Sequence, residues 1–104
     1  MPAAELLPKE ALERSRSGEV VVLDVRTALE WRAGHIPGAV HIPVDELPGR
    51  VAELDPDRET LVVCAHGIRS AAAAAWLAQI GFERVYNVRH GLSRWPEPLG
   101  TRDT

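Results

Sequence analysis

Apolar residues fall along this chain in short unbroken runs separated by stretches of helical spacing. Val20-Val21-Val22-Leu23 and Leu61-Val62-Val63 are continuous and rich in β-branched residues. That pattern marks strands covered on both faces, as in a parallel sheet. Arg84-Val85-Tyr86-Asn87-Val88 reads as another strand, and Val40-His41-Ile42 as a short extended piece. Between these runs, Pro8 to Arg16 predicts an amphipathic helix with Pro8 in its first turn. Its apolar stripe is Leu7, Ala11 and Leu12, and Gly18 stops it. Thr27 with Glu30 three residues on forms a capping box for a second helix, which holds Trp31 inward and ends at Gly34. Val44, Leu47, Val51 and Leu54 have helical spacing, broken into two pieces at Pro48-Gly49. From Ser70, an alanine-rich stretch through Trp76 and Leu77 to Ile80 predicts the longest helix. Gly81 supplies its left-handed cap.

Turn chemistry separates these elements. Pro37-Gly38 reads as a type II turn, Asp55-Pro56-Asp57 leads into the strand Thr60 to Cys64, and His90-Gly91 opens a final turn through Leu92 and Trp95. Strands alternate with helices throughout, so the fold class is α/β, a mainly parallel central sheet with helices on both faces. In such sheets a site forms outside the carboxyl ends of the strands. Asp24-Val25-Arg26 and the segment from Cys64 to Ser70 both stand at such ends and are expected on one face of the molecule. The 104 residues make one domain, 1–104, with residues 98–104 a polar, frayed tail.

Composition narrows the function without naming it. A hydrophobic content of 45% with 26% charged residues is that of an ordinary globular protein. A net charge of -3 without a basic block offers no footprint for nucleic acid or an anionic membrane. No apolar run reaches the length of a membrane span, and the N-terminus lacks the basic and apolar regions of a signal peptide. One cysteine excludes an internal disulfide, which suits a reducing compartment. The expected location is the cytoplasm.

That cysteine carries the candidate chemistry. Cys64-Ala65-His66-Gly67-Ile68-Arg69-Ser70 links a buried strand to a helix. At a helix start, unpaired N–H groups and the positive end of the helix dipole converge, and a thiol placed there is favoured as thiolate.

With these residues in view, the sequence resembles a single-domain rhodanese, of the sulfurtransferase family. Three blocks carry the likeness and cover nearly the whole chain. The first runs from Leu23-Asp24-Val25-Arg26 through Glu30-Trp31 to Gly34-His35-Ile36-Pro37-Gly38-Ala39-Val40-His41-Ile42-Pro43. The second is Cys64 to Ser70 with the alanine-rich helix, and the third is Val85-Tyr86-Asn87-Val88 with Gly91 and Trp95. The resemblance implies a sulfurtransferase in which Cys64 attacks a sulfane sulfur donor, becomes a persulfide and passes the outer sulfur to a thiophilic acceptor. The backbone N–H groups of Ala65, His66, Gly67, Ile68, Arg69 and Ser70 would cradle the anion. Gly67 would permit the loop's conformation, and Arg69 would brace it by pairing with Glu30 or Asp24 while its positive charge also helps hold the anion. Partners implied are a small sulfur donor and a thiophilic acceptor, a thiol protein among them; no cofactor and no metal are implied.

The chain departs from the family in two places. Ala65 follows the cysteine where many active members carry a basic residue, which bears on the use of thiosulfate. His90-Gly91 replaces a frequent Gly-Gly pair. His66, a neighbour cationic for some of the time near neutral pH, is expected to compensate in part. A non-catalytic docking or sulfur-relay module is the alternative that Ala65 favours. A small cysteine phosphatase or arsenate reductase is less well served, because four residues separate Cys64 from Arg69 where related phosphatases have one more. Asp24 and Arg26 read as ties between a strand end and nearby loops. His35 and His41, like Cys64 and His66, lack metal-ligand spacing. Trp31, Trp76 and Trp95 read as packing residues.

Overall fold

The computed structural model describes residues 3–101. Five parallel strands form one sheet in the order β1-β5-β4-β2-β3. The strands are β1 (Ala4–Leu6), β2 (Val21–Asp24), β3 (Val40–His41), β4 (Thr60–Val63) and β5 (Val85–Val88). The helices are α1 (Pro8–Ser15), α2 (Ala28–Ala33), α3 (Leu47–Arg50) and α4 (Ile68–Gln79). Turns of 3-10 helix follow α3 at Val51–Glu53 and β5 at Gly91–Arg94.

β4 is the central strand and is buried at every position, which is why its sequence is an unbroken apolar run. Successive side chains leave a strand on opposite faces, so one strand feeds two cores. Val62 and Cys64 join Leu23, Val25 and Ile42 on the face that receives Leu47 of α3 and Ala73, Ala74 and Leu77 of α4. Leu61 and Val63 join Val22 and Val88 on the other face, against Ala11 of α1 and the closing residues Leu92 and Trp95. Helices thus cover both faces.

Local chemistry explains the element ends. Thr27 Oγ1 accepts the Glu30 N–H at 3.2 Å while the Thr27 N–H donates to Glu30 Oε1 at 3.1 Å, completing the capping box. The Phe82 N–H donates to the Leu77 carbonyl at 3.0 Å and the Gly81 N–H to the Ala78 carbonyl at 3.3 Å. These are the paired bonds of a Schellman cap on α4. At Pro37-Gly38 the Ala39 N–H reaches the Ile36 carbonyl at 3.1 Å with Gly38 at φ +81°, a type II turn.

Five expectations need correction. β1 was not predicted: it is three residues long, at a sheet edge, with only Leu6 buried, so its pattern is too short to read. Leu7 caps α1 and is 51% exposed; Pro8 takes its place in the buried stripe with Ala11 and Leu12. The stretch from Val44 to Leu54 does fall into two helical pieces, but the break comes between Arg50 and Val51 rather than at Pro48-Gly49, because proline is tolerated in a first turn. α4 starts two residues before Ser70, at Ile68, with Gly67 as N-cap. Residues 98–100 are anchored rather than frayed: Leu99 packs in the second core, and His35 and Gly100 exchange backbone bonds of 2.7 and 2.8 Å. Thr101 is exposed, and residues 102–104 of the expected tail, like the chain's first two residues, lie outside the described range.

Candidate active site

β2 and β4 are neighbours with Asp24 opposite Val63, so the segments that follow them share one end of the sheet. After Val63 the chain bends through Ala65, His66 and Gly67 and enters α4. Gly67 adopts φ +88°, and a Cβ there would sit 2.9 Å from the His90 backbone nitrogen. The loop therefore closes around Cys64 Sγ. The Gly67 amide donates to the sulfur at 3.1 Å, the Ser70 amide lies at 3.4 Å, and the Ser70 hydroxyl at 3.3 Å. Cys64 is 1% exposed and forms part of the first core. The loop's donors enclose its sulfur, and the final turn lies against its backbone, where the Leu92 N–H donates to the Cys64 carbonyl at 2.9 Å.

Burial pushes the thiol up, and hydrogen bonds from the Ser70 hydroxyl and from the amides of Ser70, His66 and Gly67 pull it further down. The outcome lies below the ordinary value for cysteine.

Arg69 points away from the sulfur and across to α2. Its Nη1 and Nη2 donate to Glu30 Oε1 and Oε2 at 2.7 and 2.9 Å, a bidentate pair. Of the two acids considered for it, Glu30 is the partner. The same Glu30 carboxylate closes the α2 capping box, so one side chain ties the helix cap to the cysteine loop. Asp24 is fully buried and binds Arg26 through Nε and Nη2, at 3.0 and 2.8 Å. Arg26 Nη2 also donates to the Gly34 carbonyl at 2.7 Å, tying the end of β2 to the end of α2. Ile68 and His66 are exposed, and Ala65 is half-buried.

Trp31 is half-buried and stacks on two imidazoles, with centroids 3.6 Å from His35 and 4.6 Å from His41. His41 Nε2 donates to the Arg26 carbonyl at 2.8 Å, so these rings pack the loop behind Arg26. Among the described residues, no group of three or more His, Cys, Asp or Glu side chains is gathered to hold a metal. No described helix is long and apolar enough to cross a membrane.

Beneath the cup lies a polar chain absent from the sequence reading. Ser70 Oγ is 2.6 Å from Asn87 Oδ1, and Asn87 Nδ2 donates to Glu5 Oε2 at 2.9 Å. One signal pointed to it. Asn87 is the lone polar residue of Val85-Tyr86-Asn87-Val88, in phase with Val85, which faces the cysteine side of the sheet.

The sequence model of the Rhodanese-like domain family matches residues 7–97. The chain belongs to the rhodanese-like family. It is 41% identical over 88 residues to thiosulfate sulfurtransferase GlpE of Pseudomonas putida, covering 85% of this chain and 80% of that protein. A protein of Allochromatium vinosum named sulfurtransferase is 39% identical over 77 residues, covering 74% and 72%. The crystal structure of a rhodanese-related protein from Thermoplasma volcanium superposes with a TM-score of 0.87 at 31% identity, over 95% of this chain and 99% of that one. The five-stranded sheet described above is thus that of the rhodanese-like family, and its relatives named here include sulfurtransferases.

Proposed function

We propose that this protein is a sulfurtransferase that carries sulfane sulfur as a persulfide on Cys64. The observation that carries the reading is the ring of donors at that sulfur: the Gly67 and Ser70 amides, at 3.1 and 3.4 Å, at the start of α4. The amides of Ile68 and Arg69 stand in the first helical turn, where backbone donors lack intrahelical partners. With Ala65 and His66 they complete the cradle assigned to the anion. Arg69 braces this loop through Glu30, and Asp24 with Arg26 holds the strand end beside it.

The thiolate of Cys64 attacks the outer sulfur of a donor such as thiosulfate. The donor's S–S bond breaks and sulfite leaves with the electron pair. A thiophilic acceptor, cyanide or a thiolate, then attacks the outer sulfur of the persulfide, and Cys64 departs as thiolate. Both steps are displacements at sulfur. The backbone dipoles are set before reaction and hold the negative charge in each state. A single thiol kept reactive suits a reducing compartment, the cytoplasm.

A second reading is favoured by the charge around the loop. Ala65 supplies no cation, and the Arg69 guanidinium is committed to Glu30. An anionic donor such as thiosulfate therefore finds no uncommitted cation at either of these two loop positions, and a relay from a protein persulfide fits equally well. Mass spectrometry after thiosulfate and then cyanide separates the two. One sulfur atom added to Cys64 and removed by cyanide is expected of the enzyme. Labelling by a protein persulfide alone points to the relay. A Cys64→Ser variant that still takes up sulfur would end both. Cys64-dependent hydrolysis of an aryl phosphate would transfer the reading to a phosphatase.

A further inference from the structure

Asn87 is 2% exposed on β5, beneath the cysteine loop. Its Nδ2 donates to Glu5 Oε2 at 2.9 Å and to the Gly67 carbonyl at 3.2 Å. The Gly67 carbonyl accepts and cannot donate, so it fixes the amide in one orientation, with Nδ2 toward Glu5. Oδ1 is left facing Ser70 Oγ at 2.6 Å. The same Ser70 oxygen is 3.3 Å from Cys64 Sγ.

A hydroxyl has one proton to give. At 2.6 Å two oxygens need a proton between them, so with a neutral thiol the Ser70 proton goes to Asn87. The Ser70 oxygen then accepts the S–H of Cys64, and every group is satisfied. A thiolate reverses the demand: it has no proton and needs a donor. It can take the Ser70 proton only by leaving Asn87 Oδ1 against a bare oxygen lone pair.

We infer that Asn87 is a positioning residue that competes with Cys64 for the single Ser70 proton and thereby restrains ionisation of the nucleophile. The amide donors at the sulfur favour the anion unconditionally, whereas the hydroxyl favours it only at Asn87's expense. A thiol held back in this way keeps more intrinsic nucleophilicity than a fully stabilised thiolate. The charged and titratable groups on the surrounding elements are Glu5 of β1, Asp24 and Arg26 at the end of β2, Glu30 of α2, Arg69 of α4, and His66, Arg89 and His90 in the loops. Among the described residues, none of them hydrogen-bonds Ser70 Oγ, so the contest lies between Asn87 and the sulfur.

The test is a pH titration of the thiol, followed by thiolate ultraviolet absorbance and by the rate of iodoacetamide capture. Asn87→Val, which suits a strand interior, lowers the midpoint by about one pH unit, the worth of one hydrogen bond to a charged group. The same substitution in a Ser70→Ala background leaves the midpoint where Ser70→Ala puts it, while a Ser70→Thr background restores the response. An unchanged or raised midpoint in folded Asn87→Val, or an equal drop without the hydroxyl, overturns the inference. Should Asn87→Val fail to fold, the Asn87 side-chain amide signal in the nuclear magnetic resonance spectrum decides. It moves with the thiol titration in the unmodified protein and is still in Ser70→Ala; a still signal in both overturns the proposal. The inference rests on Cys64 as the reacting group. These readouts concern the thiol alone, so a protein that transfers no sulfur yet titrates as expected would lose only the transfer.

Discussion

Glu30 does two jobs with one carboxylate, and its ionisation registers both. The bidentate bond from Arg69 draws its carboxyl down to about 2 from the ordinary 4.5, against the opposing effect of burial and with help from Thr27. The folded value lies below the unfolded one, so the pair contributes stability above about 4.5 that is lost as pH falls through about 2. Both side chains are about a third exposed, at 37% for Arg69 and 32% for Glu30, and solvent screening limits the contribution to about 1 kcal/mol. In urea unfolding near neutrality, Glu30→Gln should be less stable than the parent by that amount. The gap should close as the solution is acidified toward pH 2; a gap that persists there would show that charge is not its source. The pairing was half legible, since the sequence offered Glu30 and Asp24 as equal candidates. Asp24 was already taken by Arg26, a fact of space rather than of spacing.

The cysteine loop and the closing turn act as one element. The Leu92 and Ser93 amides donate to the carbonyls of Cys64 and Ala65, each at 2.9 Å. Such close approach demands glycine at position 91, where φ is +58° and a Cβ would lie 2.2 Å from the Cys64 carbonyl oxygen. Neither backbone can give way. Gly91→Ala is expected to lose about 3 kcal/mol or more, and at about 4 °C per kcal/mol its melting temperature falls by roughly 12 °C. Calorimetry checks this; a shift of only a degree or two would mean the turn does not clamp the loop. His90 just before it sits at φ +67°, the left-handed region, which explains why glycine also fits that position. The helix caps at Thr27 and Gly81 were legible because they depend on neighbours within six residues. The start of α4 was not. Its N-cap is a glycine with positive φ, held by contacts with the turn after β5, and no local rule marks such a cap.

Across the whole molecule, the buried pair of Asp24 and Arg26 joins the end of β2 to the end of α2 through the Gly34 carbonyl. Removing one member leaves a fully buried charge without its counter-ion, at a cost of roughly 3 kcal/mol. Arg26→Met should therefore lower the urea midpoint sharply while its far-ultraviolet dichroism stays native in the absence of urea. An unaltered midpoint would place these residues outside the framework. The sequence by itself determined the α/β class, the alternation of strands and helices, and the placing of a lone thiol between a buried strand and a helix. Those features follow from periodicity and capping, which act over a few neighbouring residues. The tertiary structure alone decided the strand order, the edge strand at residues 4–6, the depth of Cys64, and the chain from Glu5 through Asn87 and Ser70 to the sulfur. That chain joins residues 82 positions apart. Only packing parallel strands side by side brings them within hydrogen-bond reach, because a strand's own sequence specifies which face a side chain takes and not which strand lies beside it.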